Sequence, residues 1–172
     1  MDELELKKRE ILTPLLFEAG AALLDCQCFE YGISFLLFHL SRLGVQNLDP
    51  TDMDEIMNNK KKKTLGQLIG LLKNHIDVRE DIQETFQIAI DARNQIIHRI
   101  LIDNIGRVVD ENERKSLIKE IDKLRSIVRK ADKLIRPLIE KLSEIIDGFD
   151  SESAKDEALK KLFETNSNVN IN

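Results

Sequence analysis

From Leu117 onward, apolar residues recur at 117, 121, 124, 128, 131, 135, 138, 142, 145 and 149, in alternating steps of four and three. Only a long helix gathers such positions on one side, because about 3.6 residues complete a turn. Asp110 followed by Glu113 forms a capping box in front of it, so the helix is expected over about 111–147. Ile118, Ile127, Leu134, Ile139 and Ile146 widen the stripe beyond a two-stranded seam, which suits burial in a bundle. Pro137 should kink or break the helix after Arg136, since its ring lacks an N–H and crowds the preceding turn.

The remaining chain points the same way. It has 172 residues with only 7 glycines and 3 prolines, 42% hydrophobic and 33% charged. That is the profile of an all-α protein with one core, here an antiparallel helical bundle over 1–148 and a tail from 149 to 172. Leu4 to Leu43 is helical in pattern, with Thr13-Pro14 expected to end one helix and open the next, and Gly44 to stop it. Residues 47–63 read as the longest loop, with a turn at Asp49-Pro50 and one helical turn near Met53 to Met57. Thr64 and Gln67 form a capping box for a helix to about Asn74. Asp77 and Glu80 repeat it for a long helix from Val78 to about Asn104, stopped near Gly106. In the tail a short helix is expected from Ser153, and the asparagine-rich end should be disordered.

A net charge of −5 and a pI near 5.3 exclude a protein that coats nucleic acid by bulk charge, while leaving room for a local basic cleft. The charged start MDELELKKRE lacks the order of a signal peptide, and the apolar runs fall short of the ~20 residues of a membrane span. A cytoplasmic protein without membrane contact is therefore expected. Cys26 and Cys28 would face opposite sides of a helix as reduced thiols.

The segment DARNQIIHRI, Asp91 to Ile100, sets polar residues into the apolar side of a helix. With Phe86 at zero and ~100° per residue, Ile96, Ala89, Ile100, Ile97, Ile90 and Leu101 fall within ~80° of it. Arg93 falls only ~20° from the centre of that stripe, with Gln87, Asn94, His98 and Asp91 together on one flank. A guanidinium keeps its proton, so an inward arginine demands a carboxylate, carbonyls or a bound anion. Glu30, set among Leu23, Cys26, Ile33 and Leu37 on the second helix, is the expected carboxylate. Two readings stay open: a buried Glu30–Arg93 pair, or a cleft in which Arg93, Asn94 and His98 bind a phosphate.

Arg93-Asn94-Gln95-Ile96-Ile97-His98 resembles the RNxxxH motif of the HEPN superfamily, all-helical domains whose arginine precedes a histidine with four to six residues between. The likeness extends from the earlier helix with Glu30, through TLGQLIGLLK, to the motif helix, about Leu15 to Asn104. It implies a metal-independent endoribonuclease without cofactor, acting on RNA as a homodimer whose two motifs share one cleft. His98 would be the acid/base residue, Arg93 would steady the phosphate, and Asn94 would hold the geometry, with Glu30 and Asp91 in support. Such proteins serve as toxins of toxin–antitoxin pairs, in phage defence or in RNA processing, so an antitoxin or another protein partner is implied. Other members are catalytically silent nucleotide-binding or protein-interaction modules, the alternative for this chain.

The basic run Lys60, Lys61, Lys62 and Lys63 and the neighbouring Arg99 are further candidates for contact with an RNA backbone, against the plainer reading of solvated side chains. His39 and His75 would join His98 in a metal site only if three helices converged, and no metal is expected.

Overall fold

Gly44 ends the first helix as the sequence suggests, and Pro14 does not interrupt it. In the computed structural model, which describes residues 3–58, 60–146 and 169–171, α1 spans Glu3–Arg42 with Pro14 inside. Pro14 is exposed, so the carbonyl it leaves without a helical donor can be hydrated, and the break expected at Thr13-Pro14 is not needed. Thr13 instead donates its hydroxyl to the Arg9 carbonyl at 2.6 Å. At the other end Gly44 has φ +82, its N–H bonds to the Ser41 carbonyl, and the Val45 N–H bonds to the Leu40 carbonyl, both at 3.2 Å. This is the glycine-closed helix end that a left-handed residue permits.

The loop that follows contains a longer helix than one turn: α2, Pro50–Met57, starts with Pro50 and is capped by Asp49, whose carboxylate accepts from the Thr51 N–H at 2.8 Å. α3, Leu65–His75, carries the expected box, with Gln67 N–H to Thr64 Oγ1 at 3.3 Å and Thr64 N–H to Gln67 Oε1 at 2.9 Å. The next helix starts later than Val78, and Asp77 falls before it. Asp77 lies in a three-residue strand, β1, Ile76–Val78, and α4 runs Glu80–His98 with the Ile82 and Gln83 amides bonded to the Arg79 carbonyl at 3.0 Å. The β-branched Ile76 and Val78 alternate around Asp77 and favour the strand.

β1 pairs antiparallel with β2, Val169–Ile171, in the register Ile76 to Ile171, Asp77 to Asn170 and Val78 to Val169. The chain end, expected to be disordered, thus forms a strand at these three residues, where Val169 and Ile171 repeat the same alternation. The rest of the 149–172 tail, including the helix expected from Ser153, lies outside the described residues.

α4 also stops sooner than Asn104. The Ile100 N–H reaches back five residues to the Gln95 carbonyl at 2.8 Å, and Asn104 Nδ2 donates to the Ile100 carbonyl at 2.9 Å, closing the chain into turns. A short α5, Ile105–Val109, follows, with Gly106 inside it rather than stopping α4. Then α6 runs Glu111–Ile146, led by Asp110, whose Oδ1 accepts from the Glu113 N–H at 2.9 Å. Pro137 lies within this helix without breaking it and faces solvent.

The architecture is an all-α helical bundle whose chain divides into two compact units, Met1–Cys28 with Ile88–Lys130, and Phe29–Gln87 with Ala131–Asn172. In the first unit Leu15, Ala22 and Cys26 of α1, Ala89 and Ala92 of α4 and Leu117, Ile121 and Val128 of α6 are buried. A charged network joins α1 to α6 here: Arg125 Nε donates to Asp25 Oδ2 at 2.6 Å and Nη1 to Glu18 Oε1 at 3.0 Å, with side chains only 16–24% exposed. The bond to Asp25, then that to Glu18, raises the Arg125 pKa above its ordinary value, so the guanidinium stays charged throughout any working pH.

In the second unit Phe29, Ile33, Leu36, Leu37 and Leu40 of α1, Leu65, Leu68 and Leu72 of α3 and Ala131, Ile135 and Leu142 of α6 are buried. The Phe29 and Phe86 rings lie 6.1 Å apart, and Gly32 brings α1 against α6 so closely that a Cβ there would meet Ile135 Cδ1 at 2.9 Å and Ile139 Cδ1 at 3.4 Å. Cys26 is buried and Cys28 exposed, as their two-residue spacing implies.

α1 modifies one expectation about membranes. Asp25 and Glu30 interrupt its apolar residues, yet between Glu5 and Arg42 it holds an 18-residue window of mean hydropathy 1.3, apolar and long enough to cross a membrane, of which 39% is buried. The core explains that apolarity on one side only: Phe17 at 72% and Leu24 at 59% are exposed.

Gly32→Leu should lower stability by about 1–3 kcal/mol through overpacking against α6, whereas Gly20→Ala, where a Cβ meets nothing within 4 Å, should raise it by up to about 1 kcal/mol; thermal unfolding reads both. Arg125→Met should cost about 2 kcal/mol in urea unfolding, because the largely covered Glu18 loses its cation and Asp25 keeps only Arg129 at 3.9 Å.

Candidate functional site

The last two turns of α4 carry the motif, and they sit differently from the sequence expectation. Ala89 at 0%, Ala92 at 2% and Ile96 at 8% exposure form the buried side, joined by Ile100. Ile90, Ile97 and Leu101, which dominate a helical wheel by size, are only half-buried. The buried stripe is therefore centred ~60° away from Phe86, on the small residues that let a neighbouring helix approach. Arg93 lies between Phe86 and Ile100 around the helix, ~40° from the centre of that stripe, and is half-buried with its Nε buried, so it points inward in part and not centrally. A guanidinium so placed is partly desolvated and needs polar partners.

Arg93 Nη1 donates to Asn94 Oδ1 at 3.2 Å, so two of the three motif side chains are directly bonded. Asn94 is exposed, as are Asp91, His98 and Arg99. His98 is the last residue of α4, and the backbone turns away immediately after it, with the Arg99 N–H on the Gln95 carbonyl at 3.0 Å. Asn94 and His98, one turn apart, share a face, while Arg93 and His98 diverge by ~140° around the helix. Glu30 is half-buried on the part of α1 that belongs to the second unit, and its pairing with Arg93 stands as an expectation.

Two arginines that the sequence reading passed over hold the segment behind His98. Arg107 Nη1 donates to Asn104 Oδ1 and to Glu120 Oε2, both at 2.8 Å. Arg114, only 9% exposed, donates through Nη1 to the Val108 carbonyl at 2.8 Å and to that of Val109 at 3.4 Å. Charge-assisted bonds to these carbonyls fix α5 against the start of α6. No short-range pattern announces either contact, although Arg114 does fall one turn before Leu117 on the buried side of α6. The segment so held displays Ile102, Ile105 and Val109 at 75%, 70% and 83% exposure, an apolar surface directly after the motif.

The lysine run behaves as a loop. Lys61 Nζ bonds to Asp52 at 2.7 Å, a contact that raises its pKa, and the Lys60 and Lys61 amides both bond to the Glu55 carbonyl. Lys60 and Lys62 are exposed and Lys63 is half-buried. His39 packs edge-on against Phe35 at 4.0 Å between ring centres, and His75 is buried at the end of α3. Among the described residues no three His, Cys, Asp or Glu side chains are grouped to hold a metal ion.

Compared with family models, with curated proteins and with solved structures, the chain matches none.

Replacing Arg114 by leucine should free the Val108 and Val109 carbonyls and loosen α5; hydrogen exchange of the amides in 105–110 should accelerate about tenfold or more, the effect of losing a bond to a charged donor.

Proposed function

We propose that the chain is a metal-independent endoribonuclease of the HEPN type, working as a homodimer in the cytoplasm. The observation that carries this reading is the pairing, on one helix end, of an exposed imidazole at His98 with an Arg93 whose orientation is fixed by Asn94. These are the two functions that RNA transesterification needs: a proton carrier near neutral pH and a fixed cation for the phosphate.

The divergence of Arg93 and His98 around α4 argues for two chains. A single helix aims them apart, whereas a two-fold axis near the end of α4 would set the arginine of one copy beside the histidine of the other. The exposed Ile102, Ile105 and Val109 next to the motif suit burial in such a pairing. In that cleft one His98 takes the proton of the ribose 2′-hydroxyl as its oxygen attacks phosphorus. Solvent water gives a proton to the 5′ oxygen as that bond breaks, and the partner's Arg93 neutralises the non-bridging oxygens. Asn94 keeps the guanidinium in place, Glu30 and Asp91 act in support, and Arg99 adds a backbone contact. A toxin with its antitoxin, a phage-defence effector and an RNA-processing enzyme are the cellular roles that fit this activity.

The same apolar surface also favours a second reading, a catalytically silent HEPN-like module that binds a nucleotide or another protein through it. The two separate in one assay: RNA cleavage in EDTA by the purified parent, His98→Ala and Arg93→Ala. The ribonuclease reading expects losses of about 100- to 10,000-fold for His98→Ala and about 100-fold or more for Arg93→Ala. Equal activity in all three, or none in a dimeric parent, would leave the interaction module.

A further inference from the structure

A helix that is charged only for solubility interleaves opposite charges at i, i+4 spacing, because such pairs support it while like charges there weaken it. The outer side of α6 departs from this rule. Lys115, Lys119 and Lys123 follow one another at i, i+4, and Lys130 comes one heptad after Lys123. At ~100° per residue the four fall within an ~80° arc, and Lys119 to Lys130 covers ~16 Å of helix. All four are exposed and belong to the first unit.

Lys115 is bonded to Glu111 at 2.8 Å, but Lys119, Lys123 and Lys130 make no ion pair among the described residues. The nearby acids do not compensate. Glu120 turns to Arg107, and Asp25 takes Arg125 and, at 3.9 Å, Arg129, leaving Asp122 as the acid on the arc. A face that keeps like charges adjacent in a chain of net charge −5 has the form of a polyanion site.

We infer that the Lys115, Lys119, Lys123 and Lys130 face of α6 is a docking strip for the sugar-phosphate backbone of RNA. Lysine ammonium groups act as point charges, which suits phosphates read without regard to base. An anionic membrane is disfavoured because α6 has no continuous apolar face to insert: Leu117, Ile121 and Val128 are each at 0% exposure, and Leu134 at 38% stands as a single exposed apolar side chain. An acidic protein surface is disfavoured because the strip carries no aromatic or arginine anchor. The choice of RNA rests on the ribonuclease reading, whereas the strip itself does not.

The test uses the full chain and a fluorescein-labelled single-stranded RNA methylated at every 2′-oxygen, which binds but cannot be cut, followed by anisotropy in EDTA over a series of salt concentrations. The triple variant K119E/K123E/K130E should bind at least about 30-fold more weakly, and the slope of log affinity against log salt should fall by about 2, the share of three phosphate contacts on a single strand. Thermal unfolding checks that the triple variant is folded; should it fail to fold, K123Q and K130Q should each still weaken binding about threefold. Unchanged affinity and slope overturn the strip, as does a parent that binds phosphatidylserine vesicles and not RNA, or affinity lost in K62E/K63E but kept in the triple variant. A parent that binds through the strip yet leaves unmethylated RNA intact supports the strip and defeats the ribonuclease reading; a parent that cuts RNA while the triple variant binds as well as it does gives the reverse.

Discussion

The apolar seam of α6 is the constraint on which the rest depends. Leu117, Ile121 and Val128 are buried in one unit and Ala131, Ile135 and Leu142 in the other, so a single uninterrupted helix supplies core residues to each. That continuity survives Pro137 because the proline falls on the exposed side, where the carbonyl it strands is open to solvent. Once one side of α6 is committed to the core, the other is free to carry charge. Its lysines are therefore not constrained by packing.

Regular local chemistry was legible in the sequence. Thr64 with Gln67, Gly44 after α1 and the four–three spacing from Leu117 are each governed by one or two turns of chain; the first two are found in place, and the spacing is a buried stripe from Leu117 to Leu142 among the described residues. What was not legible depends on partners distant in sequence. Pro14 reads as a boundary because a proline inside a helix is costly, and only its exposure shows why the cost is tolerable here. Asp77 and Glu80 match a capping box, but Ile76 and Val78 find a strand partner more than 90 residues later, a pairing no local rule contains. Arg125 unites Glu18 and Asp25 from 107 and 100 residues away.

The candidate site was legible as a list of residues and less so as geometry. Arg93, Asn94 and His98 were found by spacing, and the Arg93–Asn94 bond joins two of them. Their orientation was misjudged because a helical wheel weighs residues by size, while packing places the small Ala89 and Ala92 innermost. The rotation moves Arg93 off the centre of the buried stripe while its Nε stays buried, and its pairing with Glu30 remains an expectation. Arg93 and His98, five residues apart, stand ~140° apart around the helix, which is why the proposed chemistry calls for two copies.

A subunit-mixing experiment bears most directly on that composite site. Arg93→Ala and His98→Ala proteins, each inactive alone, are combined under conditions where subunits exchange, and RNA cleavage is followed in EDTA. A shared cleft predicts that activity returns, because a mixed dimer unites the Arg93 of one chain with the His98 of the other. A mixture that exchanges subunits yet stays inactive would contradict the two-chain site.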